Sequence, residues 1–266
     1  MNGKPFIKWA GGKGQLLEQL SALLPKDFAE RRDVVYVEPF VGGGAMLFYM
    51  LGTYPNIKKA IINDLNSDLI TTYKIIKERP EELIAMLRVM QDEFRSCKNE
   101  AERKEYYLAK RERYNSREAK DVEVAALFIF INRTCFNGLY RVNSKGKYNV
   151  PFGKAKNPLI CDEDNLRSCS YLLQNVTLKV GDYKECESFI DEKTFVYIDP
   201  PYRPLTQTSA FTSYSENQFS DKEQIELADF IEKLSTNGAT VVASNSDPKN
   251  SDENDNFFDE LYADFE

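Results

Sequence analysis

The sequence predicts an α/β fold: a parallel sheet flanked by helices, interrupted by an insertion that is helical and carries one β-hairpin. Three observations predict it. A strand, a glycine turn and a helix follow one another over 34–51, and a β-rich pattern resumes at 176–182, 195–202 and 239–246. Between these ends, 81–131 has apolar residues at three- and four-residue spacing, many charges, and no Gly or Pro. The length of 266 residues, 42% of them hydrophobic, suits one large domain or a domain with a second inserted into it.

The first strand is VVYV at 34–37, followed by Glu38-Pro39-Phe40-Val41-Gly42-Gly43-Gly44 and the apolar helix AMLFYML. A second strand, KAII at 59–62, ends in Asn63-Asp64, and a helix from Leu65 to Lys77 stops near Pro80. After the helical run, the character changes at Asn132. The turn signals Asn137-Gly138 and Lys145-Gly146 appear, the second between the alternating runs YRVNS and KYNVP, which predicts a hairpin. The strands VTLKVGD, FVYIDPPY and ATVVASNS follow, with helices expected at 222–235 and 255–263. The expected units are therefore 1–66 with 172–266 for the sheet domain, and 67–171 for the insertion.

Composition excludes much chemistry. The chain has no histidine, so no Ser-His-Asp or Cys-His machine and no histidine metal ligand can exist. The five cysteines (Cys97, Cys135, Cys161, Cys169, Cys186) form no CxxC pair and are odd in number, so reduced thiols are expected, and no metal. No apolar run approaches the ~20 residues of a membrane span, and the N-terminus has no apolar signal region. The expected compartment is the cytoplasm.

The formal charge of −7 conceals an uneven distribution. From Val124 to Cys161 there is no Asp or Glu, while Arg133, Arg141, Lys145, Lys147, Lys154 and Lys156 all lie there. Lys4, Lys8 and Lys13 add to this from an acid-free N-terminus, whereas Asp247–Glu266 carries eight acids against one Lys. A phosphate backbone responds to the local patch, within about 10 Å, and not to the total. A solvated basic loop would have the same composition, so charge alone does not decide for nucleic acid.

Gly42-Gly43-Gly44 sits where a strand turns into a helix, where a ligand can approach the backbone closely. Asp64 ends the next strand, at the position where α/β nucleoside binders place a carboxylate for the ribose. Glu38 ends the first strand, and Gly181-Asp182 the third, where a carboxylate can accept from an adenine amino group. The third position of a dinucleotide fingerprint is Leu47, which disfavours NAD, and Gly14 after Gly12-Lys13 disfavours a P-loop. A purely structural turn remains the alternative for the glycines taken by themselves.

FVYIDPPY is the most specific signal. A buried strand delivers Asp199, Pro200, Pro201 and Tyr202 to its C-terminal tip, and two prolines stiffen the turn. The Asp199 side chain and the Pro200 carbonyl would offer two acceptors beside one aromatic ring. Such a set can take both hydrogens of a nucleobase amino group and localise its lone pair for attack on an electrophilic methyl. A base inside a duplex must first be flipped out. The alternative is a rigid strand-end turn capped by Asp199.

Taken together, these motifs resemble the Dam-type DNA adenine methyltransferases, in which the cofactor motif comes first, the recognition region second and Asp-Pro-Pro-Tyr last; the likeness is greatest to the methylases of GATC. The matching segments are FIKWAGGKGQLL (6–17), VEPFVGGGA (37–45), INDLN (62–66), NRTCFNGLYRVNSKGKYNVPFG (132–153), VGDY (180–183), DPPYRP (199–204) and TSAFTSY (208–214). The resemblance implies a Rossmann-like S-adenosylmethionine-dependent sheet. It places Trp9, Lys13, Glu38, Phe40, Gly42, Gly43, Gly44 and Asp199 at the cofactor, Asp64 on its ribose and Asp182 on its adenine. Asp199 to Tyr202 match the catalytic tetrad. Phe136 matches an aromatic wedge, although core packing is the plain reading of a phenylalanine. Asn137, Leu139, Arg141 and Pro151 match residues contacting bases or phosphates, and Lys8 one that reads the outer base pair. Arg133, Asn143, Lys145 and Lys147 complete the expected DNA contacts.

The implied activity is methyl transfer from S-adenosylmethionine to the 6-amino group of adenine in duplex DNA. Methylation of the cytosine 4-amino group, or a non-catalytic DNA-binding regulator retaining the cofactor fold, are the alternatives. A monomer is expected, with a cognate restriction endonuclease as a possible companion. The family's fold ends with a further β-hairpin, which this chain, stopping at Glu266, is expected to lack.

Overall fold

The computed structural model describes residues 2–9, 11, 14, 16–203, 219–250 and 252–265. Its centre is a five-stranded parallel sheet: β1 (Val34–Glu38), β2 (Ile57–Asp64), β3 (Val176–Val180), β4 (Thr194–Ile198) and β5 (Thr240–Ala243). The order across the sheet is β3-β2-β1-β4-β5. The chain therefore builds outward from β1 in one direction, then crosses back to lay β4 on its other side. The tips of β1 and β4 form the switch point at which open α/β sheets bind ligands. The Rossmann-like α/β expectation holds.

Alternation explains the two faces. Tyr36, Ala60, Ile62, Phe195 and Tyr197 join one buried cluster, while Val37, Ile61, Val196 and Ile198 join another. Central β1 and β4, covered on both faces, read as near-continuous apolar runs, whereas β3 and β5 at the edges are only half-buried. Helix Asp221–Thr236 covers the second face with Leu227, Phe230, Ile231 and Leu234. The first face carries α1 (Leu17–Ala22), α2 (Ala45–Thr53) and α3 (Ser67–Glu78), and its cluster continues into α4 (Pro80–Ser96), α5 (Glu100–Asn115), α6 (Val122–Thr134) and α7 (Glu163–Leu172).

Three details differ from the expectation. Pro80 does not merely stop a helix; it begins α4 at its first turn, where its missing N–H costs nothing. The run 81–131 is divided by Cys97–Asn99 and Ser116–Asp121. The first break is set by Asn99, whose side chain accepts from the Glu102 amide and caps α5. The second contains Arg117 and Asp121 at φ of 59° and 47°, left-handed turns built without glycine. The hairpin forms only as two isolated antiparallel bridges, Cys135 with Phe152 and Val142 with Tyr148, around a turn at Gly146 with φ of 67°.

Gly44 caps α2 at φ 72°, and a Cβ there would overlap the hydroxyl of buried Tyr73. Gly44→Ala is expected to cost about 2–4 kcal/mol, from left-handed strain plus the clash. Urea unfolding measures this; a loss below ~0.5 kcal/mol would show that the loop can shift freely.

Candidate active site

The glycine loop is braced from beneath. Glu38 at the tip of β1 is 2% exposed; its carboxylate accepts from the Tyr36 hydroxyl at 2.7 Å and from the Leu47 amide in the first turn of α2. Burial pushes its carboxyl well above the ordinary range, against the pull of the Tyr36 hydrogen bond. Glu38 thus supports the loop from the interior. Above it, the Gly42 amide donates to Asp64 Oδ2 at 3.1 Å, and the Tyr73 hydroxyl donates to the Gly42 carbonyl at 3.0 Å. A Cβ on Gly42, at φ 46°, would come within 2.7 Å of the Trp9 ring, so Trp9 lies directly on the loop.

The other strand tips converge here. Half-buried Asp64 also accepts from the Asn66 amide at 2.9 Å, and burial raises its pKa. Its carboxylate keeps further lone pairs, enough to accept from ribose hydroxyls. Asn63 donates to the carbonyls of Pro39 and Gly181 at 3.0 and 2.9 Å, tying the ends of β1, β2 and β3 together. Exposed Asp182 accepts from the Lys184 amide. Phe40 and Tyr183 pair with ring centroids 5.1 Å apart. Asn63 Oδ1 and the Tyr183 hydroxyl are buried with no partner among the described residues. A glycine cradle, a carboxylate, aromatic rings and two orphaned polar atoms fit a nucleoside-bearing cofactor.

Next to these, β4 delivers half-buried Asp199, buried Pro200, and exposed Pro201 and Tyr202. Val35, Tyr36 and Val37 pair with Thr194, Phe195 and Val196, so the acidic tip and the glycine loop are neighbours. Besides burial, the neighbouring Asp199 charge also pushes the Glu38 carboxyl upward. A Cβ on Gly11 would lie 3.5 Å from the Tyr202 hydroxyl. The N-terminal segment thus touches both halves of the crevice, Trp9 at the glycine loop and Gly11 at Tyr202. Lys13 and the segment 208–214 lie outside the described residues.

The basic hairpin is clasped to the same segment. Buried Asn132 accepts from the Lys8 amide at 2.8 Å and donates to the carbonyls of Lys8 and Gly138 at 2.8 and 2.9 Å. Lys8 packs so tightly on Gly138 that a Cβ there would sit 2.5 Å from its own. Trp9 stacks on Tyr140 at 5.7 Å and 24°. Phe136 is 50% exposed and Leu139 38%, which favours a contact surface over core packing for both. Asn137, Lys145, Lys147 and Pro151 are exposed, and the Pro151 carbonyl accepts from the Phe136 amide.

Other expected DNA contacts have structural work as well. Exposed Arg141 donates through Nε to Asn149 Oδ1 at 2.7 Å. Asn143 Oδ1 accepts from the amides of Lys145 and Lys147 and so shapes the turn. Arg133 donates through Nε and Nη2 to the Phe6 carbonyl, tying α6 to the N-terminal segment. Sequence reasoning missed Asn132, Tyr73, Ser244 and Gln224. Ser244 donates to Asp199 Oδ1 at 3.0 Å and Gln224 to the Pro201 carbonyl at 3.3 Å. The polar ending SNS on an otherwise apolar strand was the available signal for Ser244.

Residues 9–266 match the family model of D12 class N6 adenine-specific DNA methyltransferases. The chain belongs to this family. It is 48% identical over its whole length to the type II methyltransferase M.MjaIII of Methanocaldococcus jannaschii, covering 90% of that protein. It is 40% identical, again over its whole length, to the type II methyltransferase M1.LlaDCHI of Lactococcus lactis subsp. cremoris, covering 86% of it. Over 92% of the chain it is 36% identical to the DNA adenine methylase of Escherichia coli K12, covering 81% of that protein. Membership identifies an enzyme that methylates adenine in DNA. Among the described residues, no helix is long and apolar enough to cross a membrane.

Glu38 gives a pH test of the brace. Its carboxyl is raised in the folded state above the ordinary 4.5, so its contribution to stability is lost as pH rises through the folded value. Glu38→Gln has no such loss. The melting temperature of the variant relative to wild type is expected to climb between pH 5 and pH 8; a constant difference would contradict a buried, proton-holding Glu38.

Proposed function

We propose that this methyltransferase uses S-adenosylmethionine and acts on a flipped adenine held by Asp199–Tyr202. The observation that carries the reading is the pairing of β1 with β4, which sets the glycine loop beside the Asp-Pro-Pro-Tyr tip. Trp9, Lys13, Phe40, Gly42, Gly43, Gly44 and Asp64 would contact the cofactor, with Asp182 at the adenine end and Glu38 bracing the loop. When bound, the cofactor supplies a methyl group on a sulfonium.

The chain's own residues do the rest. Asp199 and the Pro200 carbonyl accept the two amino hydrogens and so release the nitrogen lone pair. Tyr202, exposed at the mouth, stacks on the base. Positioning and hydrogen bonding supply the rate. On the DNA side, Phe136 fills the gap left by the extruded base. Arg141, Asn137, Leu139 and Lys8 read base edges, and Arg133, Asn143, Lys145, Lys147 and Pro151 lie along the backbone. The site is GATC, on the resemblance of 132–153 to the recognition region of GATC methylases. Residues 67–171 form the target-recognition unit and 1–66 with 172–266 the catalytic unit. The protein acts as a monomer in the cytoplasm. Relatives named type II methyltransferases support a companion restriction endonuclease.

Methyl-labelled S-adenosylmethionine and duplex DNA test this. Label is expected in N6-methyladenine at GATC, and Asp199→Ala should lower the rate by about 100-fold or more. Label in cytosine, retention of DNA without transfer, or a wild-type rate for Asp199→Ala would overturn the reading; methylation at other sequences would overturn GATC alone.

A further inference from the structure

The end of β5 reaches across to the reacting turn. The Ser244 amide donates to the Ile198 carbonyl at 2.8 Å, extending the β4–β5 pairing by one bond. That bond brings the Ser244 hydroxyl within 3.0 Å of both Asp199 Oδ1 and the Tyr197 hydroxyl. A serine hydroxyl has one hydrogen, and an ionised carboxylate can only accept. Ser244 therefore donates to Asp199 and must accept from Tyr197. Tyr197 is 1% exposed and burial keeps its phenol protonated, so it can serve as that donor. The hydrogen bonds run in one direction, from Tyr197 to Ser244 to Asp199.

The neighbouring residue secures the other end of the turn. Asn245 donates at 3.1 Å to Oε1 of fully buried Gln224, whose Nε2 donates to the Pro201 carbonyl. A carboxylate at a strand tip rotates readily about its last torsion. A fixed donor on one oxygen restrains that rotation.

We propose that Ser244 is a positioning residue for methyl transfer: its hydroxyl, oriented by Tyr197, donates to Asp199 Oδ1 and so fixes the orientation of the carboxylate toward the target amino group. This rests on the reading of Asp199 as the acceptor of the amino hydrogens. The arrangement predicts a loss in the chemical step and not in binding.

The test is single-turnover methylation of duplex DNA by the full chain. Ser244→Ala is expected to slow transfer by about 10- to 100-fold, with dissociation constants for DNA and S-adenosylmethionine within about twofold of wild type. Ser244→Thr, which keeps the hydroxyl, is expected to recover most of the rate, and Tyr197→Phe to lose part of it. Ser244→Ala at the wild-type rate, Ser244→Thr as slow as Ser244→Ala, or Tyr197→Phe without effect overturns the inference. Asp199→Ala, run alongside, separates the two levels. If it is inactive while Ser244→Ala is normal, only the positioning role falls; if it is fully active, the reading of Asp199 falls.

Discussion

Parallel pairing of β1 with β4 is the constraint on which the rest of the structure depends. Strand neighbours that run the same way end on the same edge, so the loops leaving them must share a crevice. Here one loop is three glycines wide and the other is stiffened by two prolines. Glycine leaves the first backbone open to close approach, and proline holds the shape of the second. Everything else at the site adjusts these two tips: Glu38 and Tyr73 fix the glycine turn from below, Asn63 ties in the tips of β2 and β3, and Ser244 and Gln224 fix the proline turn from β5.

The N-terminal segment then joins this crevice to the basic hairpin. Asn132 binds both partners of Lys8's peptide backbone and one carbonyl of the hairpin turn, so the first residues and the residues near 138 behave as one surface. Trp9 lies between the glycine loop and Tyr140. A family that methylates adenine in DNA has to hold a long polymer at one place and a small group at another, at fixed separation. In this chain, Trp9 stacked on Tyr140 and Asn132 clasping Lys8 and Gly138 join the crevice to the hairpin.

The centre of the sheet was legible because β1 and β4 are buried on both faces and appear as β-branched and aromatic runs, and the outer strands because β-branched residues recur in them. The candidate site was legible where consecutive residues form one turn, Gly42 to Gly44 and Asp199 to Tyr202, which the pairing of β1 with β4 brings side by side. What stayed hidden depends on distance along the chain. Ser244 lies 45 residues from Asp199, and Asn132 lies 124 from Lys8; the polar ending of β5 marks Ser244 as unusual, but nothing local announces the partner of either. Glu38 looked like a crevice residue because strand ends usually are, yet its side chain points into a pocket completed by Tyr36 and Leu47. The breaks at 97–99 and 116–121 escaped because capping by Asn99 and left-handed turns at Arg117 and Asp121 replace the usual Gly and Pro.

The central claim is that the two strand tips bring an adenine and a methyl donor face to face. A ternary structure with duplex DNA and the demethylated cofactor measures this directly. The account predicts an extruded adenine whose amino nitrogen touches Asp199 and lies roughly 3–4 Å from the cofactor sulfur's methyl position, above Gly42–Gly44. A target adenine still stacked in the duplex, or a cofactor bound away from the β1/β4 crevice, would contradict it.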